Sequence, residues 1–182
     1  MDLSTLQQQL ANHAAKQPPV EQWDPPFCGD IDLIIKHDGR WLYMGSPIGR
    51  KALVKLFASV LKREGDDYFL VTPVEKVGIQ VEDVPLLITQ WRWQDDNLMM
   101  FTDTDDPVVI DATHPLALQQ DRVTGEQLPY VNVRRNLWAR LHQNVYYQLV
   151  EAGTPQQLNG EPHLVIHSAG IAYPLGKLAP QD

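Results

Sequence analysis

The chain has 182 residues, 43% of them hydrophobic, and carries 15 basic against 23 acidic side chains, a formal net charge of −8 at pH 7. Such a length buries one good core or two small ones, and the acidic balance disfavours sequence-independent binding to nucleic acid or to anionic lipid. Cys28 is the only cysteine, which excludes an intrachain disulfide and suits a reducing compartment, and no run of about 20 apolar residues is present to cross a bilayer.

The first residues show no basic segment followed by an apolar run and a small-residue cleavage site, so a cytoplasmic location is expected. From Ser4 to Lys16, the side chains of Leu6, Leu10 and Ala14 fall on one helical face with Leu3 beside them, and Ser4 with Gln7 suits a capping box. This predicts a short peripheral helix, stopped by Pro18 and Pro19. The stretch Trp23-Asp24-Pro25-Pro26-Phe27 is extended because each proline disfavours helix in the residue before it, and Trp23 and Phe27 are expected to anchor the arm.

The segment from Cys28 to Pro85 reads as a complete folding unit. Ile31, Leu33 and Ile35 alternate with Asp32, Ile34 and Lys36, which predicts a strand. His37-Asp38-Gly39-Arg40 supplies a tight turn, so Trp41 to Met44 returns antiparallel. Ser46 as cap and Pro47 in the first turn then predict a helix carrying Leu53, Leu56, Phe57, Val60 and Leu61 on its inner face, ended by Gly65-Asp66-Asp67. Tyr68 to Thr72 and Val77 to Val81 are two further strands.

Farther on, Leu86 to Gln94 and Asn97 to Thr102 form a second hairpin across Asp95-Asp96-Asn97, followed by a short strand at Val108 to Ile110. Ala112 to Tyr130 reads as loop or irregular strand. Leu137, Trp138, Leu141, Val145 and Leu149 make one stripe, which predicts a helix from about Val133 to Glu151 with Gly153 as its stop. Thr154 to Pro162 reads as a polar loop, and His163 to His167 and Gly170 to Tyr173 as closing strands. Sliding the second helix back by 84 residues sets Leu137 on Leu53, Leu141 on Phe57, Val145 on Leu61 and Arg134 on Arg50. That match supports a duplicated strand–helix–strand unit.

No established catalytic or metal motif is present. Gly45-Ser46-Pro47-Ile48-Gly49-Arg50-Lys51 fails as a phosphate loop: it is one residue short, Ala52 stands where Ser or Thr is needed, and Pro47 removes a donor. What survives is a helix start with two cations, able to hold a phosphate or carboxylate, against the plainer reading of an ordinary capped helix. Arg134 and Arg135 lie at the second expected helix start, where cations oppose the helix dipole unless an anion is near. Lys76 and the acids around it read either as cleft lining or as an exposed charged turn. Asp103, Asp105 and Asp106 lack the glycine and glutamate of a calcium loop. His163 and His167 are about 13 Å apart in a strand and share no metal. Cys28 reads as a small packing residue rather than a nucleophile.

Cys28-Gly29-Asp30-Ile31-Asp32, Gly45-Ser46-Pro47-Ile48, Arg63-Glu64-Gly65, Leu70-Val71-Thr72-Pro73-Val74-Glu75-Lys76 and Val145-Tyr146-Tyr147 resemble a bacterial family known as domain of unknown function 1285. The resemblance runs from about Trp23 to Gly176, with Thr-Pro-Val-Glu-Lys its most specific piece. It implies a duplicated core, a C-terminal half of pleckstrin-homology-like shape, and a pocket between the halves suited to a nucleotide-like molecule in signalling. It transfers no catalytic residue. The family's interface motifs map onto Arg50, Thr72, Glu75, Lys76, Arg134 and Tyr147.

The expected fold class is therefore α+β, with an N-terminal helix and arm over residues 1–22 and two related strand–helix–strand subdomains with antiparallel sheets over 23–85 and 86–182. The expected function is that of a non-catalytic regulatory or signalling module binding a small anionic, nucleotide-like ligand where the subdomains meet, with no cofactor and no metal. In that reading Arg50 and Arg134 meet the negative groups, flanked by Lys51 and Arg135. Lys76 is a point charge near Thr72 and Glu75, and Trp23 or Tyr147 is an apolar wall. The alternative is a protein–protein interaction module without a small ligand, and an enzyme using Cys28 or a histidine ranks third.

Overall fold

Residues 27–81 follow the expected alternation closely enough to build a sheet, and they depart from the expected helix. In the computed structural model, which describes residues 3–11 and 18–179, they belong to the first of two units, Met1–Glu82 and Asp83–Asp182. Leu33 and Ile35 are buried in β1 (Phe27–Ile35). Gly39, at φ 91, closes the predicted turn, and β2 (Trp41–Tyr43) returns antiparallel with Trp41 opposite Ile35.

Gly45-Ser46-Pro47 does not start a helix. Met44 and Gly45, with φ of 51 and 83, make another tight turn, and Ser46–Pro47 is β3, paired with Tyr43 and Leu42. Pro47 is tolerated because β3 is an edge strand. The helix α2 spans only Lys51–Ala58, and Ser59 Oγ donates to the carbonyl of Leu56 at 2.6 Å as the chain leaves it. Val60 and Leu61 are thus not on the helix; Leu61 opens β4 (Leu61–Glu64). Gly65-Asp66 is the turn of a hairpin to β5 (Asp67–Val71), not a helix stop, and β6 (Lys76–Val81) completes an antiparallel trio. Phe57, Val60, Leu61, Leu70, Val71 and Val77 are fully buried, each contributing about 1.5–3 kcal/mol before the cost of ordering it.

The N-terminal helix α1 covers Leu3–Leu10, buries Leu3, Leu6 and Leu10 and packs on α2. Ser4 lies inside α1 rather than at its cap, and the expected extension to Lys16 falls on residues 12–17, outside the described residues. A single 3-10 turn, Val20–Gln22, follows Pro19. Phe27, expected to anchor the arm, is instead 55% exposed as the first residue of β1, where it meets the Phe69 ring edge-on at 5.9 Å.

In the second unit β7 (Leu86–Gln94) and β8 (Asn97–Thr102) form the expected hairpin, with Asp95 at φ 55 in the turn, and β9 (Pro107–Val109) adds to it. The stretch expected as loop or irregular strand contains β10 (Leu116–Gln120) and the start of β11 (Gln127–Arg134). The expected helix from Val133 is overturned over its first half. Arg135 at φ 51 turns the chain, β12 (Leu137–Leu141) runs back along β11, and α3 begins only at Gln143 and ends at Ala152. Gly153 terminates it as expected, close against Leu164, Val165 and Leu175. Thr154 to Pro162 is not a loop either: β13 (Thr154–Leu158) pairs with β14 (Glu161–Ser168), which pairs with β15 (Ile171–Lys177).

A duplication exists, but not at the helices. The first unit has sheet order β3-β2-β1-β6-β5-β4 and the second β10-β11-β12-β7-β8-β9. Each is two antiparallel trios, joined by a parallel pairing of the first strand of one trio with the last strand of the other: β1 with β6, and β7 with β12. The equivalences are therefore β1 to β7 and β6 to β12. Leu137 stands in a strand and Leu53 in a helix, so the 84-residue offset matched unlike structures. The class is α+β, with strands dominating.

Candidate functional site

The turn between β5 and β6 gathers three of the expected ligand residues and spends all three on neighbours. Thr72 is fully buried; its hydroxyl accepts from the N–H groups of Val74 (3.2 Å) and Glu75 (3.0 Å) and donates to Gln9 Oε1 at 2.8 Å. Glu75 accepts from Gln9 Nε2 at 2.9 Å. Lys76 Nζ lies 3.0 Å from Glu64 Oε2 and 4.7 Å from the centre of the Phe69 ring. The hydrogen bond from Lys76 holds the Glu64 carboxyl below its usual range. Thr-Pro-Val-Glu-Lys is thus a clasp that closes the β5–β6 connection and receives α1.

Arg50 and Lys51 sit at the head of α2. Arg50 is the N-cap residue, in extended conformation and with no side-chain cap bond, and Lys51 is the first helical residue; both are exposed. Among the described residues the Arg50 guanidinium meets no acid. Trp23 is half-buried just after the 3-10 turn, its N–H donating to Val20 O.

Arg134 and Arg135 do not stand at a helix start, which removes the dipole argument for an anion beside them. Arg134 ends β11 and its Nη1 lies 3.1 Å from Asp106 Oδ2. Arg135 occupies the β11–β12 turn, where its carbonyl accepts from Asn132 Nδ2 at 2.9 Å. Tyr147 is exposed on α3, its hydroxyl accepting from Gln143 Nε2 at 2.9 Å. Asp103 ties its turn to β7 by accepting from Leu87 N–H, and Asp106 braces the turn by accepting from the Thr104 hydroxyl. His163 Nδ1 faces Glu161 O, and His167 Nε2 faces Gln156 Oε1. Cys28 is exposed, not a packing residue, and its thiol donates to Pro26 O.

The most concentrated electrostatics gathers around Asp83, one of the acids read either as cleft lining or as an exposed charged turn, and it draws in Asp121, Tyr130 and Arg140, which the sequence did not single out. Asp83 is buried, with Oδ2 accepting from Tyr130 OH at 2.7 Å and from Arg140 Nη1 at 2.9 Å, while Oδ1 accepts from Arg122 N–H at 3.0 Å. Buried Asp121 stands 4.0 Å from Arg140 Nε and accepts from the N–H groups of Val123 and Thr124. Burial, and after it the hydrogen bond to Asp83, push the Tyr130 phenol well above its ordinary 10. The available signal was Arg140 inside the strand-like run Leu137, Ala139, Leu141, since an arginine between buried positions needs an acid.

Two family models divide the chain between them: the N-terminal domain of DUF1285, described as a domain of unknown function, matches residues 18–84, and its C-terminal domain matches residues 85–175. The chain belongs to the DUF1285 family. A crystal structure of a DUF1285 family protein from Silicibacter pomeroyi is 41% identical, covers 93% of this chain and 95% of its own, and superposes with a TM-score of 0.79. A second, from Shewanella baltica, is 35% identical over 65% of this chain and 90% of its own, with a TM-score of 0.52. No curated protein matches the chain. The DUF1285 matches begin after α1, so α1 lies outside the family's two domains as those models define them. No helix among the described residues is long and apolar enough to cross a membrane.

Proposed function

We propose that this DUF1285 protein is a non-catalytic regulatory module whose first unit binds a small anionic ligand, a phosphate-bearing molecule of nucleotide-like size, at the head of α2. The observation that carries the reading is Arg50: an exposed guanidinium with no acidic partner among the described residues, at the N-cap of a helix that has no side-chain cap. First-turn N–H groups and the positive end of the helix favour an anion there, and a guanidinium grips phosphate through two parallel hydrogen bonds. Lys51 adds charge at the same place. Thr72, Glu75, Lys76 and Arg134 are engaged with Gln9, Glu64 and Asp106, so they serve the fold in this reading rather than the ligand. The pleckstrin-homology-like shape of the second unit and the signalling role belong to the same proposal.

Thermal shift with inorganic phosphate, pyrophosphate and nucleotides tests it. At 100 times Kd the ligand adds about 2.7 kcal/mol, a rise of about 5–10 °C for a protein of this size. Arg50→Ala is expected to remove the rise while melting like the parent; a flat screen with the parent defeats the proposal.

A further inference from the structure

The helix α1 is held as a ligand is held. Among the described residues it spans Leu3–Leu10, and an isolated helix of a few turns is marginal in water without tertiary contacts. Leu3, Leu6 and Leu10 recur at i, i+3 and i+7, and they are 9%, 1% and 0% exposed, while Ser4, Thr5 and Gln8 face solvent. This is the anchor spacing with which an amphipathic helix enters a groove. Gln9 supplies the polar fix: its amide oxygen accepts from buried Thr72 and its amide nitrogen donates to Glu75. Both belong to the clasp between β5 and β6, which closes on itself through the Thr72 hydroxyl and backbone without needing Gln9. The family's N-terminal domain begins at residue 18, beyond α1.

We propose that the face of the first unit beneath α1 is a helix-receiving groove and that α1 is its intrachain occupant. The occupant it exchanges for is an uncharged amphipathic helix of another chain, bearing leucines at the same i, i+3, i+7 spacing and an amide where α1 has Gln9. The chemistry of the groove selects that partner. Three leucine seats take apolar side chains, and the Thr72 hydroxyl with the Glu75 carboxylate demands a group that accepts and donates at once, which a carboxamide does. An acid at that position would face Glu75 and be rejected. Covalent attachment gives α1 a high effective concentration, so a free helix must overcome a deficit of about 100-fold or more to displace it.

The test uses the full-length chain with Leu6→Asp and Leu10→Asp, which empties the groove, and a fluorescently labelled peptide of residues 1–11. The opened variant is expected to melt cooperatively and to bind the peptide saturably, about 100-fold tighter than the parent does. The same peptide with Gln9→Glu is expected to bind about 10-fold more weakly. Hydrogen exchange on the unaltered protein is a second measure: amides of residues 3–11 should exchange at least about 10-fold faster than those of β5 and β6. A variant that loses cooperative melting, a folded variant that ignores the peptide, or α1 amides protected as strongly as β5 would each make α1 a fixed part of the core and overturn the proposal.

Discussion

Replacing Arg140 by methionine should cost the second unit a large share of its stability. Arg140 keeps the aliphatic volume of its stem in that substitution but loses the guanidinium whose Nη1 lies 2.9 Å from Asp83 Oδ2. The two side chains are 9% and 2% exposed, so water cannot take over the lost partner. Asp121, also buried, loses the same nearby cation. Removing one member of such a pair strands a buried charge and costs about 3–5 kcal/mol. For a chain of this length that is a fall in Tm of about 6–20 °C. Urea unfolding followed by circular dichroism and by tryptophan fluorescence measures it, with two probes because two units need not unfold together. Adding Asp83→Asn to Arg140→Met removes the stranded charge and should return about 1–3 kcal/mol. A single variant within about 0.5 kcal/mol of the parent, or a double variant that equals the sum of the singles, would refute the argument.

Other consequences follow from the same geometry. Ser168 bridges β14 to the main sheet, accepting from Leu98 N–H at 2.8 Å and donating to Ile110 O at 2.6 Å; Ser168→Ala leaves both buried groups unpaired and should cost about 2–5 kcal/mol in urea unfolding. Gly153→Ala drives a methyl group against Leu164, Leu175 and the Val165 carbonyl, and a loss of about 1–3 kcal/mol in the same assay is expected. At alkaline pH the sign follows from Tyr130, whose folded pKa lies above the unfolded 10: its contribution is complete below pH 10 and falls as pH rises beyond it, by up to about 1.4 kcal/mol per pH unit. Tyr146 and Tyr173 are raised by burial as well, so Tyr130→Phe should flatten the alkaline stability slope without abolishing it.

Hairpins were legible because their signals are local. Asp38-Gly39 and Asp95-Asp96 mark turns, and the runs beside them alternate, so β1–β2 and β7–β8 stand where the residues placed them. The second helix misled because Leu137 and Leu141 fit two periods at once: four apart they make a helical stripe, and with Ala139 between them they alternate as a strand. The tie is broken by Arg135-Asn136, which turns the chain back on β11. β13, Thr-Pro-Gln-Gln-Leu, has no buried face and reads as loop, since an exposed edge strand carries no apolar alternation. The misread β12, together with a first helix carried past Ala58 to Leu61, produced the offset-84 repeat in place of the true one, which lies in strand pairing and leaves little trace in side-chain pattern. At the candidate site, Arg50 was visible as a cation near a helix head. The burial of Asp83 was not, because Glu82-Asp83 beside Val81 looks like any charged turn until Tyr130 and Arg140, far along the chain, come to meet it.

The proposed anion site distinguishes two arginines that the sequence treats alike, one without an acidic partner among the described residues and one paired with Asp106. Isothermal titration of pyrophosphate into the parent, Arg50→Ala and Arg134→Ala proteins reads that difference directly. Saturable binding by the parent, kept by Arg134→Ala and weakened at least about 10-fold by Arg50→Ala, is the predicted result; no binding by the parent, or equal binding by all three, would contradict it.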